Sequence, residues 1–400
     1  MKRSSNIIFL DDSRLTLRPL TYTRCASQLR IGILTIVEKW QRRLGISSCH
    51  HLTEGYLSDK YQYKATDDNL IIVSTLLPTP RLVDSILSLR IGEALHAQNK
   101  IICARLTKDQ AETYKAEGCL DPSIKKLNCN HPVKTISYPE QLFLWNHEEL
   151  QSDFELITAG RTSQDIDGCN RTKGDHQIFV EEGATIEHSI LNATDGPIYI
   201  GKNAVILDGC ALRNGVSLGD HAVLKMGAKI YGATTIGPYS KIGGEVKNVV
   251  VQGYSNKSHE GYLGNSVLGE WCNLGADTNS SNLKNDYSQV KLFDYESNKM
   301  RATGTQFCGL IMGDHSKTGI NTMFNTGTIT GICCNIYGSG YQKNFIPSFS
   351  WGGSRDYLTY RVDKVIQVVN RVLERKQLRL SPEDENILRY LSEQTAQYRR

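Results

Sequence analysis

The sequence predicts an α/β domain, then an all-β left-handed parallel β-helix of hexapeptide repeats, then C-terminal helices. Three observations predict this order. Glycine is sparse up to residue 175 and recurs every few residues from Gly183 to Gly340. Eight consecutive hexads from Ile200 onward each begin with Ile or Leu. Before the glycine boundary, strand-like and helix-like segments alternate. A chain of 400 residues suits two or three domains. The shifts divide it at 1–155, 176–350 and 356–400.

In the first domain, Ile7-Ile8-Phe9-Leu10, Leu70 to Val73 and Ile101 to Ala104 are short apolar runs that read as strands. Between the last two, Arg81 to Ala97 carries a helical pattern through Leu82, Ile86, Leu89 and Leu95. Strand, helix, strand predicts parallel βαβ units.

The hexads begin at Ile200, Ile206, Leu212, Leu218, Leu224, Ile230, Ile236 and Ile242, and each has a small or β-branched residue four places later. An aliphatic side chain every six residues fills one edge of a triangular prism. Three hexads make a coil, and successive coils stack into one core. An ordinary sandwich alternates with period two and has loops of variable length, so it would not hold this register. Residues 248–262 and 283–303 interrupt the period. The second stretch reads as a protruding hairpin around Ser297-Asn298. Leu268 and Leu274 begin further hexads, and more coils follow from Leu310 to Ile336.

Two helices close the chain. Val362, Val365, Ile366, Val369, Val372 and Leu373 keep i, i+3, i+4 spacing. Ser381-Pro382-Glu383-Asp384 is a capping signature, followed by an apolar face of Ile387, Leu388 and Leu391.

Composition excludes several classes. Net charge is +4, and no basic run with interleaved aromatics suggests nucleic-acid binding. The eleven cysteines show no CxxC pair and no zinc spacing, which predicts reduced thiols and no metal site. No run approaches 18 apolar residues. Met1-Lys2-Arg3 has the charge of a signal peptide, but Ile7 to Leu10 stops at Asp11-Asp12, too short for its apolar core. The expectation is a cytoplasmic protein that does not enter membranes.

Two segments carry a resemblance. His259-Glu260-Gly261-Tyr262-Leu263-Gly264, then Leu268-Gly269, Asn273-Leu274-Gly275-Ala276 and Asn282, resemble the acetyltransferase site of the GlmU-like family. These are bifunctional N-acetylglucosamine-1-phosphate uridyltransferases and glucosamine-1-phosphate acetyltransferases. A group of bacterial sugar nucleotidyltransferases with a C-terminal left-handed β-helix is more similar still. The resemblance implies that His259 is a general base, taking a proton from a sugar amine as it attacks the thioester of acetyl-CoA. It implies that Asn282 orients the histidine or the substrate, and that Tyr262 and Asn273 touch the sugar. Lys225 and Lys247 would hold a sugar phosphate or nucleotide sugar such as UDP-N-acetylglucosamine. It further implies a homotrimer. Beyond Asn282 the family has Tyr-Asp-Gly with a lysine close behind. Here Leu283-Lys284-Asn285-Asp286-Tyr287 leads into the hairpin.

The first domain resembles a Rossmann-like nucleotidyltransferase less closely. Leu17-Arg18-Pro19-Leu20-Thr21 matches, but the phosphate loop reads Asp11-Asp12-Ser13-Arg14, with no glycine. The positions of the family's arginine and Pro-Lys hold Thr16 and Cys25-Ala26, and its magnesium-binding Gly-Asp is Ser74-Thr75. Two carboxylates in that loop would repel an NTP. Arg14, Arg18, Arg24 and Arg30 are the candidates for nucleotide contact, and Mg2+ is expected only if this domain is active. The rival expectation is a non-catalytic trimeric scaffold or a sugar-nucleotide-binding protein with a degenerate first domain.

Overall fold

The computed structural model of the chain describes residues Ser5–Arg399. Met1-Lys2-Arg3, read above for its charge, lies outside the described residues. The chain forms two compact units. The first holds residues up to Arg14, Thr23–Leu29 and Leu34–Ser137. The second holds Leu15–Tyr22, Arg30–Ile33 and Tyr138 onward.

The first unit is built on a six-stranded sheet. Its strands are β1 (Asn6–Leu10), β2 (His50–Leu52), β3 (Asn69–Val73), β4 (Glu93–Ala97), β5 (Lys100–Leu106) and β6 (Lys125–Asn128), in the order β2-β1-β3-β5-β4-β6. All three predicted strands are present. β1 runs parallel to β2 and β3, but β3 and β5 are antiparallel. This corrects the expected parallel unit. Helix α2 (Pro80–Leu87) stops early, and β4 occupies the end of the stretch read as helix. The backbone explains it. Gly92 has φ +85°, and Gln98 and Asn99 both have positive φ, which makes a tight hairpin turn between β4 and β5. Leu82, Ile86 and Leu89 fall at helical spacing, but Leu95, six residues on, is buried on a strand.

Helices α1 (Ile36–Leu44) and α3 (Lys108–Glu117) complete the unit. Each starts in a capping box, Thr35 with Glu38 and Thr107 with Gln110, and each ends at a left-handed glycine, Gly45 and Gly118.

The second unit is a parallel β-solenoid of hexads. Leu191, Leu212, Ile230, Val246 and Leu263 pair in register up one column, and Ile186, Ile206, Leu224 and Ile242 up another. All are core residues. Hydrogen-bonded residues of successive coils are 18 positions apart at Ser217 and Thr235, but 15 apart at Ser240 and Ser255, where Ser255 N donates to Ser240 Oγ. The interruption at 248–262 is therefore a shortened coil, not an inserted loop. Asn248, in a left-handed conformation, turns the corner alone. The second interruption is a true insertion, the antiparallel hairpin Lys291–Asp294 with Lys299–Ala302.

Ahead of the solenoid lie α4 (Gln141–Leu144) and α5 (Asn146–Thr158). The segment Arg30–Ile33 packs here. Asn146 Oδ1 accepts from Gly32 N at 2.7 Å, and Thr235 Oγ1 donates to Gly32 O at 2.6 Å. Gly32 has φ +72°, and a Cβ there would come within 2.6 Å of the Asp153 carboxylate. Helices α6 (Val362–Glu374) and α7 (Pro382–Gln394) close the unit on the predicted apolar faces, with Ser381 capping α7. Among the described residues, no helix is long and apolar enough to cross a membrane.

Candidate functional site

In the first unit the loop after β1 is closed on itself. Asp11 is buried, and its carboxylate accepts from Ala26 N at 2.8 Å and from Thr53 Oγ1 at 2.7 Å. Arg14 is 1% exposed. Its guanidinium meets Asp11 at 2.9 Å and Glu54 at 3.0 Å, and donates to the Tyr56 hydroxyl at 2.8 Å. Burial pushes the Asp11 carboxyl up, against the pull of Arg14. The charges of Asp11 and Arg14 face inward, where they neutralise each other, while Asp12 is exposed.

The other three arginines divide between the units. Arg24 is buried in the first unit. Arg18 belongs to the second, with its guanidinium 4.9 Å above the Tyr22 ring. Arg30 also belongs to the second, where its backbone N–H donates to Gln252 Oε1 at 2.6 Å and its Nε donates to Gln252 O at 3.3 Å. Ser74 and Thr75, which follow β3, are buried hydroxyl residues. They supply no carboxylate at the place where a divalent ion would be expected, so we derive no step through magnesium.

In the solenoid, two predicted residues, Tyr262 and Asn282, converge with Asn265, which sequence reasoning missed. Asn282 Nδ2 donates to the Tyr262 hydroxyl at 3.0 Å and to Asn265 Oδ1 at 2.8 Å. Gly264 makes this possible. A Cβ there would stand 2.3 Å from the Tyr262 hydroxyl and 2.7 Å from Asn282 Nδ2. Lys247 pairs in register with Gly264, one coil away. Its ammonium lies 5.6 Å from the Tyr231 ring centroid, and Tyr231 donates to Glu245 at 2.6 Å. Burial raises the Tyr262 pKa, so the phenol stays protonated. Its oxygen accepts from Asn282, which leaves its own O–H to donate to a ligand. Lys225 is half-buried and follows the Val223–Leu224 strand on another sheet, against Gly243. The structure does not bring it to Lys247.

His259 is exposed and lines a cleft of about 680 Å3 with Asn273. One wall is a column of rings at a solenoid corner. His221, Tyr239, Tyr254, Trp271 and His315 stack with centroids 4.6, 5.0, 4.3 and 6.4 Å apart, and all five have left-handed backbone. Tyr239, Tyr254 and Trp271 face the cleft. Lys241, Lys317, Arg375 and Lys376 add positive charge to its rim, the last two from the end of α6. Desolvation holds Lys376 below the usual lysine range, and repulsion from Lys241 and Arg375 adds to it. Sequence reasoning missed this column, although His221 and Tyr239 lie one coil apart on the hexad register.

An α/β unit followed by a hexad solenoid with this polar cluster defines a class. It is that of nucleotidyltransferase-like domains carrying an acyltransferase-like β-helix. Comparison with known proteins places the likeness more narrowly. Residues 6–162 match the family described as sugar nucleotidyl transferase. The bifunctional sugar-1-phosphate nucleotidylyltransferase/acetyltransferase of Sulfurisphaera tokodaii is 27% identical over 272 residues, 68% of this chain and 62% of its own length. The bifunctional protein GlmU of Methanocaldococcus jannaschii is 34% identical over 117 residues, 29% of this chain and 28% of its own length. That of Gloeothece citriformis is 30% identical over 174 residues, covering 44% and 32%. The chain spans less than two thirds of the length of each of these relatives.

Proposed function

We propose that the chain is a sugar-phosphate transferase of nucleotide-sugar biosynthesis, and that its solenoid moves an acyl group from acetyl-CoA to an amino-sugar phosphate. The observation that carries this reading is the hydrogen-bonded set Tyr262–Asn282–Asn265 across Gly264, with Lys247 one coil away. The phenol donor suits the hydroxyls of a sugar phosphate, and the Lys247 ammonium suits its phosphate. The cationic cleft beside His259 suits the phosphates of acetyl-CoA. His259 takes the proton of the attacking amine, the new C–N bond forms at the thioester carbon, the C–S bond breaks, and the proton on His259 passes to the departing thiolate.

The proposed assembly is a homotrimer in the cytoplasm. The relatives' names supply the nucleotidyl half of the reading. For the first unit, the inward pairing of Asp11 and Arg14 favours a second reading, a domain that keeps the fold and binds a sugar nucleotide without transferring a nucleotidyl group. If the solenoid is also inactive, the chain is a scaffold.

The test is acetyl transfer from acetyl-CoA to glucosamine-1-phosphate. His259→Ala is expected to abolish it while leaving oligomer mass and melting temperature unchanged. Substantial turnover in that variant would remove His259 from the mechanism, and no turnover in the parent protein would favour the scaffold.

A further inference from the structure

A lysine stands inside the prism, two residues before the candidate base. The column Ile186, Ile206, Leu224, Ile242 is continued in register by Lys257. Every aliphatic member belongs to the core, and Lys257 is 1% exposed. An isoleucine or leucine would fill this rung without the cost of desolvating a cation. The lysine is therefore explained by what its ammonium holds. Nζ donates to Gly243 O of the preceding coil at 3.0 Å and to His259 O at 2.7 Å.

The corner it reaches needs holding. The connection from Lys257 to Leu263 is two residues longer than that from Ile242 to Val246 in the coil before it, so the His259 corner overhangs a shorter one. Gly243 and Gly244 let the two corners touch. A Cβ on Gly244 would stand 2.8 Å from His259 O and 3.0 Å from Lys257 Nζ. Burial lowers the Lys257 pKa to about 8, with Glu260 and Asp277 opposing that shift and Lys229 adding to it.

We infer that Lys257 is a positioning residue for His259, clamping the overhanging corner to the coil before it so that the imidazole is held at one place beside the cleft. This rests on the acetyl-transfer reading for its consequence, but not for its geometry.

The experiment uses the full chain with Lys257→Met, which keeps an apolar rung, and Lys257→Gln, which keeps one donor group. Transfer from acetyl-CoA to glucosamine-1-phosphate is measured beside the His259 ring resonances, assigned from the spectrum of His259→Gln. In Lys257→Met the His259 resonances are expected to move to solvent-averaged positions. kcat should fall about 100-fold, the scale of a 1 Å misplacement, with KM within about twofold. Lys257→Gln should fall between Lys257→Met and the parent on both readouts, and it serves alone if Lys257→Met does not fold. Unmoved resonances, or a parent-like kcat in a folded variant, overturn the inference. Moved resonances in a chain whose parent transfers no acetyl group would sustain the clamp and sink the acetyl-transfer reading instead.

Discussion

At the scale of single residues, burial decides what each charge can do. Arg14 lies close to the lost arginine position, and by sequence alone it could reach a phosphate. In the fold it is enclosed by Asp11, Glu54 and Tyr56. That enclosure was not legible, because Glu54 and Tyr56 lie far along the chain. His51 shows the same principle for a titrating group. Its ring is buried between Phe9 and Tyr61, and its Nε2 has no hydrogen-bond partner among the described residues. Burial, with some repulsion from His50, lowers its pKa to about 4. The unfolded chain, with a histidine pKa of about 6.5, binds more protons between those values, so stability rises with pH across that window. Stability is therefore expected to be full above about pH 6.5 and to fall by up to about 3 kcal/mol as pH drops towards 4. His51→Phe should flatten that limb in urea titrations at pH 7.5 and pH 5. An equal loss in parent and variant would refute the assignment.

At the scale of elements, periodicity was legible where the solenoid is regular and misleading where turns intervene. Eight hexads in register left little freedom, and they emerge as stacked rungs. The stretch Arg81 to Ala97 instead satisfied a helical pattern while Gly92 and Gln98-Asn99 imposed a turn and a hairpin. The shortened coil read as an interruption, because the loss of two residues between Ile242 and Val246 and of one at Asn248 resets the register as an insertion does. Helix α1 starts at Thr35 and Glu38, whose spacing is that of a capping box, but with nine residues its apolar pattern is too short to stand out. That box makes a measurable claim. Thr35 Oγ1 accepts from Glu38 N at 3.3 Å, and Glu38 Oε2 accepts from Thr35 N at 2.6 Å. Thr35→Ala should destabilise the protein by about 1 kcal/mol. A urea midpoint unchanged by the substitution would show that α1 is held by packing alone.

At the scale of the whole molecule, the two units differ in how much of their chemistry the sequence carried. Tyr262 and Asn282 were named through the family resemblance and the solenoid brings them together, whereas the first unit assembles its loop from distant segments. The same contrast predicts which ligands the chain takes. Any ligand that binds only the folded state raises stability, by about 2.7 kcal/mol at a concentration 100 times its Kd. The cleft beside His259 presents Lys241, Lys317, Arg375 and Lys376, so acetyl-CoA should raise the melting temperature. The double variant Lys241→Glu and Lys376→Glu should lose that rise while melting like the parent without ligand, since both side chains are exposed. UTP with magnesium should give no rise, because Asp11 and Arg14 already neutralise each other. A rise with UTP and magnesium would mean that the loop opens to admit phosphate. A rise with acetyl-CoA that survives the double charge reversal would place the donor elsewhere on the solenoid.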